Sequence, residues 1–127
     1  MTQVIRHSIL IVEDEPLLRI DTVDMMEDEG FNTFEAPNAD AALTVLEQNP
    51  QMSVVCTDID MPGSLDGLAL AQTVRQRWPH MAIVVVSGHH RPTQSALPKD
   101  GRFVPKPYVK SAIMEALRAT IVKSRAS

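Results

Sequence analysis

Hydrophobic residues recur along this chain in two alternating rhythms. Residues 9–12, 54–57 and 83–86 form short, nearly continuous apolar runs, the pattern of parallel strands buried on both faces. Residues 32–36 and 102–104 are shorter or more polar and read as two further strands, the former at a sheet edge. Between the runs, apolar side chains return every three or four positions, as on helices with one buried face. Leu17, Ile20, Val23 and Met26 make one such face, and Ala39, Ala42, Leu43 and Leu46 a second. Leu70, Ala71, Val74 and Trp78 make a third, and Ile113, Ala116, Leu117, Thr120 and Ile121 the last. Boundary residues agree with this division. Pro16 suits a first helical turn, Gly30 the position just past a helix end, and Asn38 an N-cap. Asn49-Pro50 and Pro79 stop the helices before them, Asp66-Gly67 leads into the third, and Ser111 opens the last. The alternation predicts an α/β fold, a doubly wound five-stranded parallel sheet with helices on both faces.

One stretch breaks the rhythm. A fourth helix belongs between Ser87 and Phe103, yet Gly88, Pro92, Pro98 and Gly101 leave room for only one or two turns. That helix is predicted to be short or irregular.

The strand ends carry the chemistry. Glu13-Asp14-Glu15 follows the first strand, Asp58 the third, Ser87 the fourth, and Lys106, set between two prolines, the fifth. In an open α/β sheet, ligands gather at the carboxyl ends of the strands. Carboxylates crowded there repel one another, and a cation, a bound metal or a raised pKa must offset them. Oxygen ligands without histidine or cysteine at metal spacing favour a hard ion, Mg²⁺ in particular. Asp14 and Asp58 then supply direct ligands, Glu13 acts through water, and the backbone carbonyl of Asp60 is a third protein ligand. A carboxylate nucleophile beside Mg²⁺ attacks a phosphoryl group to form an acyl phosphate. Lys106 and Ser87 are placed to stabilise the charge that develops. Each residue has a plainer use when taken singly: Asp14 or Glu15 as a cap for the helix at Pro16, Lys106 as a surface lysine, Ser87 as a turn residue. His89 and His90 are adjacent and diverge, so they do not chelate.

Composition narrows the field. The chain has 127 residues and reads as a single domain spanning 1–127, with a core over about 7–122. Its formal net charge of -4 argues against nucleic acid as a partner, since phosphate backbones require a basic face. No apolar run approaches the length of a membrane span. The lone Cys56 forms no internal disulfide and sits inside a strand, as a buried core residue would. A cytoplasmic protein is expected.

With these residues in hand, the chain resembles the response-regulator receiver domain (CheY-like) of two-component signalling, over nearly its full length and of single-domain type. The resemblance rests on Glu13-Asp14, Asp58, Met61-Pro62, Asp66-Gly67, Ser87 and Lys106-Pro107 in that order. It implies a strand order of 2-1-3-4-5 flanked by five helices. It also implies phosphoryl transfer to Asp58 from a sensor histidine kinase or histidine phosphotransfer protein, with Mg²⁺ held by Glu13 and Asp14. Ser87 becomes the switch hydroxyl, Lys106 the phosphoryl contact, Phe103 the switch aromatic, and Lys106-Pro107 a cis peptide. Output passes to a downstream protein, with a phosphorylation-dependent dimer as one form. The domain is a phosphoryl acceptor with autodephosphorylation rather than an enzyme. The loop from Met61 to Gly67 is one residue longer than the commonest family form. The short fourth helix alters the usual output face.

Other readings remain beside this one. Asp58-Ile59-Asp60 also looks like the start of a haloacid dehalogenase-type phosphatase, with Asp58 as nucleophile and Asp60 as acid/base. That family puts the motif on its first strand, not its third. A receiver-like scaffold that is never phosphorylated is another alternative. A flavodoxin-like cofactor binder would need a phosphate-binding loop where Glu13-Asp14-Glu15 repels phosphate.

Overall fold

The computed structural model describes residues 7–61, 66–89 and 91–126. Its strands are β1 (Ser8–Val12), β2 (Asn32–Ala36), β3 (Val54–Asp58), β4 (Ala82–Ser87) and β5 (Arg102–Pro105). Its helices are α1 (Pro16–Asp28), α2 (Ala39–Gln48), α3 (Gly67–Arg77) and α4 (Lys110–Ala126). The five strands form one sheet in the order β2-β1-β3-β4-β5, and every pairing is parallel. The half-polar β2 lies at an edge, as its sequence suggests. Because β1 runs outward to β2 while the chain then continues on the other side through β3, the order reverses between β1 and β3. The crevice at their carboxyl ends is where this fold class places ligands.

Two apolar layers sandwich the sheet. Alternation along each strand sends Leu10, Val12, Val55, Ile83 and Val85 toward α2 and α3, and Ile9, Ile11, Val54, Cys56 and Val84 toward α1 and α4. Helix starts follow their caps: the Asn38 side chain accepts from the Ala41 amide at 2.8 Å, and Asp66 does the same for Ala69 at 2.8 Å. Gly30, with φ 95°, turns the chain after α1 in a conformation that favours glycine.

The predicted inward face of α1 is corrected. Leu17 and Ile20 are 73% and 51% exposed, whereas Met26 is buried and Val23 packs on the core as expected, and Thr22 is buried beside them. The inward stripe runs Thr22, Val23, Met25 and Met26. The stripe includes a threonine, so apolar spacing alone misses it. Thr22 is compatible with burial because its hydroxyl donates to the Leu18 carbonyl at 2.9 Å and meets the Tyr108 hydroxyl at 2.5 Å. A hydroxyl has a single proton, so Tyr108 is the donor in the second bond.

The five helices implied by the resemblance are also corrected, among the described residues, to four and a single 3₁₀ turn at Gln94–Ala96. Pro92 and Pro98 bracket that turn and remove two amide donors. Side chains from α3 hold the segment in place of an internal ladder. Gln72 Nε2 donates to the Ala96 carbonyl at 3.1 Å, and Arg75 Nε to the Lys99 carbonyl at 2.9 Å. Arg75 Nη1 also reaches the carbonyls of Pro79 at 2.9 Å and Met81 at 2.6 Å. The long loop after Asp58 falls on residues 62–65, and His90 likewise lies outside the described residues.

Candidate functional site

Asp58 is the last residue of β3, next to Val86 of β4 in register, and is only 4% exposed. Its burial owes much to Gly67, the first residue of α3. A Cβ there would lie 1.9 Å from the Asp58 carbonyl oxygen, so only glycine lets the helix start pack against the end of β3. Asp58 Oδ1 accepts the Asp60 backbone N–H at 2.9 Å. Asp58 Oδ2 accepts from Lys106 Nζ at 2.7 Å.

Lys106 bridges two strand ends. The same ammonium donates to Glu13 Oε1 at 2.7 Å, so one cation sits between the carboxylates that follow β1 and β3. Its backbone N–H donates to the Ser87 carbonyl at 2.9 Å, fixing the β5 end against β4. The Lys106-Pro107 peptide is cis. Burial raises the Glu13 carboxyl above its ordinary value, with the neighbouring Asp58 charge adding to the rise and the Lys106 hydrogen bond opposing it. For Lys106, burial alone would favour the neutral amine. Its hydrogen bonds to Asp58 and Glu13 outweigh this and raise the ammonium above its usual value.

Carboxylate oxygens of Glu13, Asp14 and Asp58 lie within 4.8 Å of one another. An all-oxygen set with Asp14 at its exposed side fits a hard divalent ion that keeps part of its water shell. The pocket above it has a volume of about 420 Å³ and brings together Glu13, Asp14, Asp58, Asp60, His89 and Lys106. A larger hollow of about 720 Å³ opens at the opposite ends of the strands, beside Phe31, Asn49 and Ser53. Among the described residues Glu27 is its only ionisable lining residue, so the smaller pocket is the chemical one.

The remaining candidates occupy different places. Ser87 is buried at the end of β4, where its hydroxyl donates to Asp60 Oδ2 at 2.7 Å and accepts the His89 amide at 3.2 Å. In the receiver reading Asp60 enters through its backbone carbonyl; the structure adds this side-chain contact with Ser87. Phe103 is half-buried on β5 and packs beside Leu97 against the α2 and α3 layer, away from the pocket. Cys56 is buried in β3, and burial pushes its thiol up to about 12. Tyr108, bonded to Thr22, is a contact that sequence reasoning missed. Its signal was an aromatic residue directly after Lys106-Pro107.

Comparison with known proteins agrees with this geometry. The family model for the response regulator receiver domain matches residues 9–118. An NtrX-like response regulator of Rickettsia bellii is 39% identical over 82 residues, covering 64% of this chain and 17% of that protein. The nitrogen assimilation regulatory protein NtrX of Azorhizobium caulinodans is 36% identical over 106 residues, covering 80% of this chain and 23% of that protein. The chain thus spans less than a quarter of the length of these curated relatives. Among solved structures, a response regulator receiver protein from Sinorhizobium medicae superposes with a TM-score of 0.86 at 25% identity, covering 94% of this chain and 97% of that one. A receiver domain protein from Clostridium thermocellum gives a TM-score of 0.85 at 21% identity, covering 94% and 98%. By its strand order, by its family match over residues 9–118 and by these relatives, the chain belongs to the response regulator receiver domains, the phosphoacceptor modules of two-component signalling.

Proposed function

We propose that Asp58 is the phosphoryl acceptor and that residues 1–127 act as one receiver unit of a cytoplasmic phosphorelay. The observation that carries this reading is the Lys106 ammonium, 2.7 Å from both Asp58 and Glu13. It places a positive donor beside the acceptor carboxylate, where the equatorial oxygens of an incoming phosphoryl group need one. In the reaction, an Asp58 carboxylate oxygen attacks phosphorus and the bond from phosphorus to the donor histidine nitrogen breaks. The donor leaves as imidazole and an acyl phosphate remains. Ser87 supplies a hydroxyl donor at the neighbouring strand end. In autodephosphorylation water attacks phosphorus, the bond from phosphorus to the Asp58 oxygen breaks, and inorganic phosphate leaves with the carboxylate restored.

Asp14, Asp58 and the Asp60 carbonyl would hold Mg²⁺, with Glu13 acting through water. Bound there, Mg²⁺ neutralises charge on the phosphoryl oxygens. Lys106 and the Asp60 amide orient Asp58.

The donor is a histidine kinase or histidine phosphotransfer protein. Three large apolar side chains stand out on the described surface, Leu17, Ile20 and Val109. They belong to α1 and to the loop after β5, elements that also enclose an apolar hollow of about 260 Å³ beside Lys106. A protein donor that seats here brings its phosphohistidine to the pocket mouth. Among the described residues no helix is long and apolar enough to cross a membrane. Output goes to a protein partner, or to a second copy of the chain, through Ser87 and Phe103.

The test is incubation with acetyl phosphate and Mg²⁺, followed by intact mass. Wild type gains one phosphoryl group and Asp58→Asn gains none. Equal labelling of the two, or no labelling of wild type, refutes the assignment.

A further inference from the structure

Asp60 touches both halves of the site. Its backbone N–H donates to Asp58 Oδ1 at 2.9 Å, and its side-chain Oδ2 accepts the Ser87 hydroxyl at 2.7 Å. Ser87 is 2% exposed while Asp60 is half-buried at the pocket wall, and the His89 amide donates to the Ser87 hydroxyl oxygen at 3.2 Å. A serine hydroxyl carries a single proton. While that proton is given to Asp60, Ser87 has nothing to donate to a group on Asp58. A carboxylate acceptor makes the bond stronger than a neutral one would.

We propose that Asp60 is a positioning residue that holds the Ser87 hydroxyl in its resting orientation, so that Ser87 engages a phosphoryl group on Asp58 only after surrendering Asp60. The inference rests on Asp58 being the acceptor and adds a restraint on when Ser87 responds. The two residues are separated by 27 positions in sequence and joined by the β3–β4 pairing, which sets Asp58 beside Val86. The same pairing carries the Ile59 amide to the Val86 carbonyl at 2.9 Å, so the backbone on either side of the contact is fixed. The restraint is therefore a property of the side chains. Breaking it requires rotation within the Ser87 or Asp60 side chain rather than strand movement.

A plain charge effect makes a competing prediction, since any carboxylate near the pocket repels a phosphoryl group. A double-mutant cycle separates the two. Beryllofluoride with Mg²⁺, a phosphoryl mimic, is titrated against wild type, Asp60→Ala, Ser87→Ala and the double variant. The expected result is that Asp60→Ala binds about tenfold more tightly than wild type when Ser87 is present, and within about twofold when it is absent, as loss of a hydrogen bond to a charged group implies. Asp60→Asn, whose amide oxygen still accepts the hydroxyl, falls between wild type and Asp60→Ala. An equal gain in both backgrounds assigns the effect to charge and overturns the proposal, as does no gain. A second readout needs no metal: Asp60→Ala speeds hydrogen exchange at the His89 amide when Ser87 is present and leaves it unchanged in Ser87→Ala. Unchanged exchange in both backgrounds also overturns the proposal. If wild type fails to bind beryllofluoride, the acceptor reading is at fault, and His89 exchange decides the restraint by itself.

Discussion

Replacing Lys106 by methionine keeps most of the side-chain volume and removes the ammonium that Glu13 and Asp58 share. At an effective dielectric of about 20, each 2.7 Å pair attracts by about 6 kcal/mol before the cost of burying the charges is counted. Breaking a buried pair in practice costs about 3–5 kcal/mol. Glu13 limits that loss, because it takes up a proton once neutralisation becomes cheaper than unpaired charge. From its ordinary value of 4.5, protonation at pH 7 costs about 3.4 kcal/mol, at about 1.36 kcal/mol per pH unit. At pH 5 the same step costs about 0.7 kcal/mol.

The direction follows from linkage. Without Lys106, burial and Asp58 raise Glu13 further in the folded state. A raised carboxyl stabilises the fold below its unfolded value, and this contribution is lost as pH climbs through the folded value. Lys106→Met is therefore expected to lose about 3 kcal/mol at pH 7 and under about 1 kcal/mol at pH 5. Urea denaturation of both proteins in metal-free buffer measures the difference. A loss that is the same at both pH values, or below about 1 kcal/mol at pH 7, refutes the idea that Lys106 compensates a buried carboxylate pair.

Two further outcomes test other parts of the structure. Gly67→Ala places a methyl group 1.9 Å from the Asp58 carbonyl oxygen, and is expected to cost about 3 kcal/mol or more in urea denaturation while lowering acetyl phosphate labelling. Cys56 is expected to resist alkylation at pH 8 until the protein is denatured. Its folded value near 12 exceeds the unfolded 9.0, so the thiol contributes stability that is complete below pH 9 and fades toward pH 12. Cys56→Ala should lack that part of the alkaline decline in stability measured by urea denaturation.

Much of this arrangement was legible because strand period and strand-end chemistry are local signals. The buried runs at 9–12, 54–57 and 83–86 mark the central strands directly, and Glu13, Asp58 and Ser87 each follow such a run at once. Pro92 and Pro98 likewise announced the missing helix. What escaped were contacts made by polar side chains across the fold. Thr22 broke the apolar spacing of α1, so Leu17 and Ile20 looked like its inward face. Arg75 reads as a solvated helix residue, although its guanidinium is partly buried and caps three carbonyls. The Ser87–Asp60 bond depends on the β3–β4 pairing, and neither residue type names its partner.

The pinning of the fourth connection to α3 has a practical corollary for protein engineering. Its anchoring carbonyls, at Ala96 and Lys99, both belong to the later part of the segment. The residues from Arg91 to Thr93 precede both anchors and the 3₁₀ turn, and Arg91 and Thr93 are exposed. Foreign peptide spliced in there leaves the Gln72 and Arg75 contacts in place and enters the sheet nowhere. The chain thus offers an insertion point for a reporter epitope or a fluorophore next to the signalling site.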